Sequence, residues 1–229
     1  MESETTNTIG LPATLSSEAV EIERERIRLI AAFFEGLALG ALGPFLPGMM
    51  IDLFRELGVT HVVTVPDNAS APILAALGGA RGREPASSIQ VVYATREGEA
   101  AALASGLWLG GAAPVVLMQN TGLLEAGDGL RGTALRMGAP LLLLVTLRGY
   151  ADARAQGVDP GKGIRGRMDL VRPELDTAAL MTEGTLEAWG IPFLRVSDGT
   201  DLSPIREASR MAAKEERPVA VLLEAFPLP

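Results

Sequence analysis

The chain has 229 residues, no cysteine, one histidine and a formal net charge of −8. The negative charge argues against nucleic acid and anionic membranes as general partners, and the lack of cysteine excludes disulfides, thiolate catalysis and cysteine metal sites. A Ser-His-Asp triad would need the single histidine, His61, as its base. The acidic start MESETTNTIG is unlike a secretory signal, and charges, glycines and prolines interrupt the apolar stretch 27–50. We therefore expect a cytoplasmic protein without a membrane span.

The N-terminal part divides into two predicted segments. Residues 1–15 are predicted to be a disordered tail, and residues 16–43 a helical extension that starts at capping serines and changes from charged to apolar along its length. Its apolar second half could pack on this chain's own domain or form a subunit contact, and both alternatives remain open. The single main domain is predicted to cover residues 44–229.

Six short apolar runs alternate with helical segments in the main domain. The runs cover residues 61–65, 89–93, 114–118, 140–146, 193–196 and 219–223. The predicted helices cover residues 49–57, 71–77, 97–109, 128–137, 177–189 and 203–215, and a polar loop covers 148–173. Continuous hydrophobicity is typical of strands buried on both faces, so we predict an α/β fold: a single three-layer domain whose six-stranded, mostly parallel sheet carries helices on both faces.

Ligands of such sheets bind at the carboxyl ends of the strands. The loop after the second run leads directly into Glu97, in the first turn of a predicted helix. Small residues keep that helix slim, and amides at the helix start favour a charged carboxylate. Glu97 is therefore either an ordinary helix-start acid or a functional carboxylate, while Glu99 is expected to face solvent.

Four stretches, in matching order and spacing, resemble one enzyme family. They are VTVPDNASAPIL (62–73), TREGEAAALASGLWLGG (95–111), VVLMQNTGLLEAGDGL (115–130) and PLLLLVTLRG (140–149). With them, the chain from about residue 44 to 225 resembles the pyrimidine-binding, alpha-type subunit of sulfopyruvate decarboxylase, and equally phosphonopyruvate decarboxylase, among the thiamine-diphosphate-dependent enzymes.

The resemblance implies roles for several residues. Glu97 would activate thiamine diphosphate by hydrogen-bonding a nitrogen of its aminopyrimidine ring. The residues implied in cofactor binding, besides Glu97, are Pro66, Gln119, Asn120, Thr121 and Gly122. A turn structure would explain Asn120 and Gly122 equally well. The candidate substrate contacts are Asn68, Arg148, Lys162 and Arg165.

The family holds the diphosphate through Mg²⁺ in a second domain, marked by Gly-Asp-Gly and an asparagine about 30 residues later. This chain contains Gly127-Asp128-Gly129, but all its asparagines lie upstream. We interpret Asp128 as the N-cap of a helix and predict no metal site in this chain. A separate diphosphate-binding, beta-type subunit would then hold Mg²⁺, and the isolated chain would be an inactive homo-oligomer.

The segment 148–173 departs from the family pattern, which leaves the substrate open within small anionic 2-oxo acids. Its Gly161-Lys162-Gly163-Ile164-Arg165-Gly166 fits the dinucleotide pattern G-x-G-x-x-G, but no predicted strand directly precedes it, so a mobile loop is favoured. The predicted function is a decarboxylase subunit. Alternatives are a carboligase subunit of acetolactate-synthase type and a non-catalytic regulatory or scaffold subunit, the latter disfavoured by the intact Glu97 and Gln-Asn-Thr-Gly loop.

Overall fold

The computed structural model describes residues 47–78 and 88–224, and the predicted tail and helical extension (1–15 and 16–43) lie outside the described residues. The strands are β1 (His61–Thr64), β2 (Gln90–Tyr93), β3 (Pro114–Gln119), β4 (Leu142–Thr146), β5 (Phe193–Val196) and β6 (Val219–Leu223). The α-helices are α1 (Pro47–Glu56), α2 (Ala71–Gly78), α3 (Glu97–Leu109), α4 (Asn120–Glu125), α5 (Gly127–Gly129), α6 (Leu135–Met137), α7 (Tyr150–Ala155), α8 (Arg167–Val171), α9 (Thr177–Ala188) and α10 (Ser203–Glu215).

Within the described residues the six strands form one sheet in the order β2-β1-β3-β4-β6-β5. Every neighbouring pair is parallel. The α/β prediction is confirmed, and the sheet is wholly rather than mostly parallel. All strands therefore end at the same edge, where the loops after β1, β2, β3 and β4 meet.

The core lies on both faces of the sheet. In β3, Val115 and Leu117 pack into one apolar cluster with helices α1, α2 and α10. The intervening Val116 and Met118 pack into a second cluster with α3, α4 and α9. Because alternate side chains of a strand point to opposite faces, this division produces the three layers and explains the continuous apolar runs.

One predicted helix boundary was wrong. Helical structure begins at Asn120, not Asp128, and continues through α4, α5, a π-helical turn (Leu130–Ala134) and α6. The N-cap position of α5 is Ala126, and the exposed Asp128 side chain instead pairs with Arg131 at 2.5 Å. Tertiary packing overrides the low helix propensity of the glycines in this stretch.

The segment predicted as a polar loop, 148–173, contains α7, a 3₁₀ turn (Pro160–Lys162) and α8. Tyr150 and Ala153 of α7 are buried. Gly149 precedes them with φ of +80°, and a Cβ on it would come within 2.4 Å of Asp176 Cβ. Burial of two side chains and one glycine turn therefore order the start of a segment whose composition is polar.

Candidate active site at the carboxyl edge of the sheet

Glu97 is the first residue of α3 and follows β2 at the carboxyl edge. Its side chain lies across Gly122 of α4, because a Cβ on Gly122 would come within 2.2 Å of Glu97 Oε1. Glu97 is half-buried. Among the described residues, none forms a hydrogen bond or ion pair with its carboxylate. The structure thus presents a carboxylate whose bonding capacity is open to a ligand.

The two neighbouring glutamates are engaged. Glu99 Oε2 accepts hydrogen bonds from the Thr95 backbone N–H (2.9 Å) and hydroxyl (2.7 Å). The Thr95 hydroxyl is the main reason why the pKa of Glu99 lies below its usual value. Glu125 Oε2 accepts the Gly98 N–H at 2.7 Å, and this bond is the main reason why the pKa of Glu125 is lowered. The Glu97 carboxylate therefore differs from those of both neighbours in having no hydrogen-bond or ion-pair partner within the described residues.

Asn120 connects the ends of β3 and β4. It is fully buried, its Nδ2 donates to the Arg148 carbonyl (3.0 Å), and its Oδ1 accepts the Arg148 N–H (3.1 Å). Oδ1 also accepts the Thr121 N–H at 3.1 Å. Asn120 was predicted as a cofactor contact, but its amide is already occupied by backbone. Any influence on a ligand would act through the residues that it positions.

The remaining predicted cofactor residues line the same edge. Gln119 is half-buried, Thr121 is exposed, and the Thr121 hydroxyl lies 3.4 Å from Gln119 Oε1. Pro66 is exposed in the loop after β1. That loop is ordered by Asp67, whose Oδ1 accepts the backbone N–H groups of Ala69 (2.7 Å) and Ser70 (3.0 Å).

The predicted substrate contacts are spread over the surface. Asn68 is exposed, and Arg148, at the end of β4, pairs with Asp176 at 3.0 Å. Lys162 and Arg165 lie further along the chain in ion pairs of 3.8 and 3.9 Å. Within the described residues no hydrogen bond or ion pair connects these four side chains with Glu97 or with one another. Arg148 and Asn68 lie at the same edge of the sheet as Glu97, because all three residues follow the carboxyl ends of parallel strands.

The glycines of Gly127-Asp128-Gly129 allow close packing. A Cβ on Gly127 would come within 2.8 Å of the Trp189 ring, and a Cβ on Gly129 within 2.2 Å of the Gly98 carbonyl oxygen. The described residues contain no cluster of three or more histidine, cysteine, aspartate or glutamate side chains suited to a metal ion. This Gly-Asp-Gly therefore has a packing role in the described structure.

Glu125 was missed by the sequence analysis, although it contacts both neighbours of Glu97. Its Oε1 accepts hydrogen bonds from Arg96 Nε (2.8 Å) and Nη2 (2.5 Å), and its Oε2 binds Gly98. Gly122, Glu125 and Gly129 are spaced by three and four residues and so lie on one helix face. That spacing was the available signal, but it is meaningful only if residues 120–129 are helical.

The described strands form a parallel sheet covered on both faces, and the Glu97 carboxylate lies at the edge where sheets of this kind bind ligands. Residues 48–171, more than half of the chain, match the family described as thiamine pyrophosphate enzyme, N-terminal TPP binding domain. The chain belongs to this family, thiamine pyrophosphate being another name for thiamine diphosphate.

One curated protein is similar in sequence to this chain, and solved structures are similar to it in fold. The alpha subunit of sulfopyruvate decarboxylase from Methanococcus maripaludis is 26% identical over 139 residues, which are 60% of this chain and 73% of that subunit. The benzoylformate decarboxylase of Polynucleobacter necessarius has a similar fold, with a TM-score of 0.53 and 20% identity. The 4-hydroxybenzoylformate decarboxylase of Rhodococcus jostii gives a TM-score of 0.53 at 17% identity.

These matches differ in how much of each chain they cover. The Polynucleobacter match spans 81% of this chain but 31% of the other, and the Rhodococcus match spans 79% and 30%. The chain thus corresponds to less than a third of the length of these solved structures. None of the described helices has the length and apolar character needed to cross a membrane.

Proposed function

We propose that this chain is the pyrimidine-binding subunit of a two-component thiamine-diphosphate-dependent decarboxylase, and that Glu97 activates the cofactor. The half-buried Glu97 carboxylate, which has no partner among the described residues, is the observation that carries the proposal. Membership of the family and the similarity to a subunit named alpha support it.

The residues around Glu97 fit an aminopyrimidine ring. A ring nitrogen needs a carboxyl group with which it can share a proton, and the Glu97 carboxylate has that capacity available. Gly122 supplies the room, since any side chain there would occupy the space of the Glu97 carboxylate. Gln119 adds a half-buried amide, and Thr121 an exposed hydroxyl, at the end of β3.

When bound, thiamine diphosphate supplies the electron sink that decarboxylation of a 2-oxo acid requires. Glu97 would donate or accept the hydrogen bond to the pyrimidine nitrogen and would hold the shared proton at its carboxylate oxygen. Asn120 fixes the loops after β3 and β4 relative to each other, so the polar groups at the edge keep their positions.

A separate beta-type subunit completes the site in this proposal and holds Mg²⁺ with the diphosphate. The relative from Methanococcus maripaludis is named as a subunit alpha, which favours a second kind of chain. In this proposal the Gly-Asp-Gly of this chain has a packing role, since its two glycines lie against Trp189 and Gly98.

The proposed substrate is a small anionic 2-oxo acid of the sulfopyruvate or phosphonopyruvate kind. Arg148 is the candidate contact for its anionic group, because its side chain is 59% exposed and stands at the end of β4. Asp176 neutralises part of this charge, so any substrate would compete with an existing ion pair. Carboligation by the same Glu97 is the second candidate reaction.

Reconstitution tests the proposal. The chain is co-expressed with a diphosphate-binding chain carrying Gly-Asp-Gly and a downstream asparagine, then assayed with thiamine diphosphate and Mg²⁺. Sulfopyruvate, phosphonopyruvate, pyruvate and benzoylformate are compared by release of carbon dioxide and by product analysis. Aldehyde products support a decarboxylase and acyloin products a carboligase. A complex that binds the cofactor but consumes no 2-oxo acid would leave only the regulatory interpretation.

A further inference from the structure

Glu125 forms hydrogen bonds with the residues on both sides of Glu97. One carboxylate oxygen, Oε2, accepts the backbone N–H of Gly98 at 2.7 Å. The other, Oε1, accepts two hydrogen bonds from the guanidinium of Arg96. The residues immediately before and after Glu97 are thus both bound by a single side chain that comes from a different helix.

The same helix face makes two further contacts with this turn. Gly122 lies under the Glu97 carboxylate, and Gly129 lies against the Gly98 carbonyl oxygen. A side chain at Gly129 would meet the Gly98 backbone and separate the helices, whereas a side chain at Gly122 would displace the Glu97 side chain. Gly122 and Gly129 therefore permit the two helices to approach closely. Glu125, which lies between them in sequence, supplies the hydrogen bonds that hold the first turn of α3 against α4.

We propose that Glu125 is a positioning residue that sets the place of the Glu97 carboxylate by holding Arg96 and Gly98. This inference rests on the proposed function, in which Glu97 meets the cofactor. The Gly98 N–H is one of the amides that an α-helix leaves without an internal partner at its start, so an acceptor from another element fixes where that helix begins. The lowered pKa of Glu125 agrees with a charged acceptor.

The hydrogen bonds of Glu125 also indicate that its carboxylate does not itself share a proton with the ligand. Glu125 is bound to the backbone of Gly98 and to Arg96, so its oxygens are already occupied. A proton shared with a ligand would have to break these bonds. Glu125 therefore acts through Glu97, and its removal should displace the carboxylate without removing it.

The first measurement needs no cofactor. Hydrogen exchange of the Gly98 amide is followed by NMR in the full chain, in wild type, Glu125→Ala and Glu125→Gln. Alanine is a good helix former, so the fold of α4 should survive the change. We expect about tenfold faster exchange in Glu125→Ala, because the amide loses its acceptor. Glu125→Gln retains an acceptor oxygen and should stay near wild type.

The second measurement is the rate at which the C2 proton of bound thiamine diphosphate exchanges for deuterium in the complex with the partner chain. Glu125→Ala should lower this rate about ten- to a hundredfold through misplacement of Glu97. Glu125→Gln keeps an acceptor for the Gly98 N–H but loses the ion pair with Arg96, so its rate should lie between those of Glu125→Ala and wild type. The double variant Glu97→Gln/Glu125→Ala should match Glu97→Gln within about twofold, because both changes act through one group. Glu207→Ala, which removes an exposed ion pair of 2.8 Å with Arg210 on α10, is the matched control.

The outcomes separate this proposal from the proposed function. Unchanged Gly98 exchange in Glu125→Ala overturns the positioning role, whatever the complex does. Faster Gly98 exchange with a wild-type C2 rate, or with losses that add in the double variant, also overturns it. A wild-type complex without C2 exchange refutes the proposed function, and the amide measurement then still decides whether Glu125 holds the helix start.

Discussion

At position 122 even a methyl group would meet the Glu97 carboxylate, because an ideal Cβ would come within 2.2 Å of Oε1. The atom that it meets is the far end of a flexible side chain. Glu97 can therefore swing away, while the backbone of α3 and α4 stays in place. This makes Gly122 a position where function and stability can be separated experimentally.

We expect Gly122→Ala to keep the fold but to lower C2 proton exchange in the complex by about ten- to a hundredfold, because Glu97 loses its position. Thermal unfolding should change little, since alanine in a helix gains about 0.5–1 kcal/mol over glycine and offsets part of the crowding. Gly184→Ala in α9 is the control, since a Cβ there meets no atom within 4 Å in the part of the chain that the structure describes. A wild-type exchange rate in Gly122→Ala would contradict the placement of Glu97.

Replacement of the carboxylate itself has a larger expected effect. Glu97→Gln should leave folding and assembly intact and slow C2 exchange by about a hundred- to ten-thousandfold, the usual contribution of a positioned acid or base. Glu99→Gln is the matched control, because glutamine can still accept the Thr95 N–H at the helix start. Deuterium incorporation at C2 is measured by NMR for both. Equal rates in Glu97→Gln and wild type would remove Glu97 from the mechanism.

At the level of helices and strands, some bounds could be predicted from local sequence, whereas others depend on tertiary contacts. The bounds of α3, β5, α10 and β6 agree with the predicted ones, and in α10 the local signal is an apolar stripe at helical spacing that buries Ile205, Ala208 and Ala212. The helical stretch from Asn120 was missed because glycine and asparagine favour turns. Its glycines approach Glu97, Gly98 and Trp189, and its leucines at 123 and 130 are buried in the core, contacts that no local window of sequence contains.

Asn120 has a structural role that its residue type does not reveal, because its side chain connects the ends of β3 and β4. Its conversion to alanine would leave the Arg148 N–H and carbonyl without their partner at the junction of β3 and β4. We expect Asn120→Ala to lower the free energy of unfolding by about 1–3 kcal/mol, the usual cost of a buried group left without its hydrogen bond. Urea unfolding checks this, with the exposed Asn68→Ala as a control that should stay within about 0.5 kcal/mol. Equal losses in both variants would contradict the bridging role.

For the whole molecule, the continuous apolar runs predicted the parallel three-layer fold correctly, since strands that are buried on both sheet faces are apolar along their whole length. Contacts between residues of different helices or strands have no comparable sequence pattern. Glu125 and Arg96 are 29 positions apart, and their pairing follows from the packing of two helices. The substrate contacts remain predictions for the same reason, because they depend on how loops and a second chain close over the edge.

The outer face of α3 bears on assembly. Leu103 and Leu109 are exposed, and a Cβ on Gly106 would meet no atom of the described residues within 4 Å. An apolar helix face with a small central residue is suited to close contact with another chain. We therefore propose that the isolated chain forms a homo-oligomer through this face, the apolar part of residues 16–43, or both. Sedimentation measures the oligomeric state, and a monomer at micromolar concentration would contradict it.

Cofactor binding should require the partner chain. This chain offers contacts to the pyrimidine, whereas in the proposed enzyme Mg²⁺ and the diphosphate lie on the other subunit, so the pyrimidine contacts must offset the whole cost of immobilising the cofactor. We expect calorimetry to show weak or no binding of thiamine diphosphate by the isolated chain. With the partner, cofactor and Mg²⁺ should raise the melting temperature of the complex, because only the assembled site binds them. Tight, magnesium-dependent binding by the isolated chain would show that the exposed Asp128 of Gly-Asp-Gly takes part in metal binding and that no second subunit is needed.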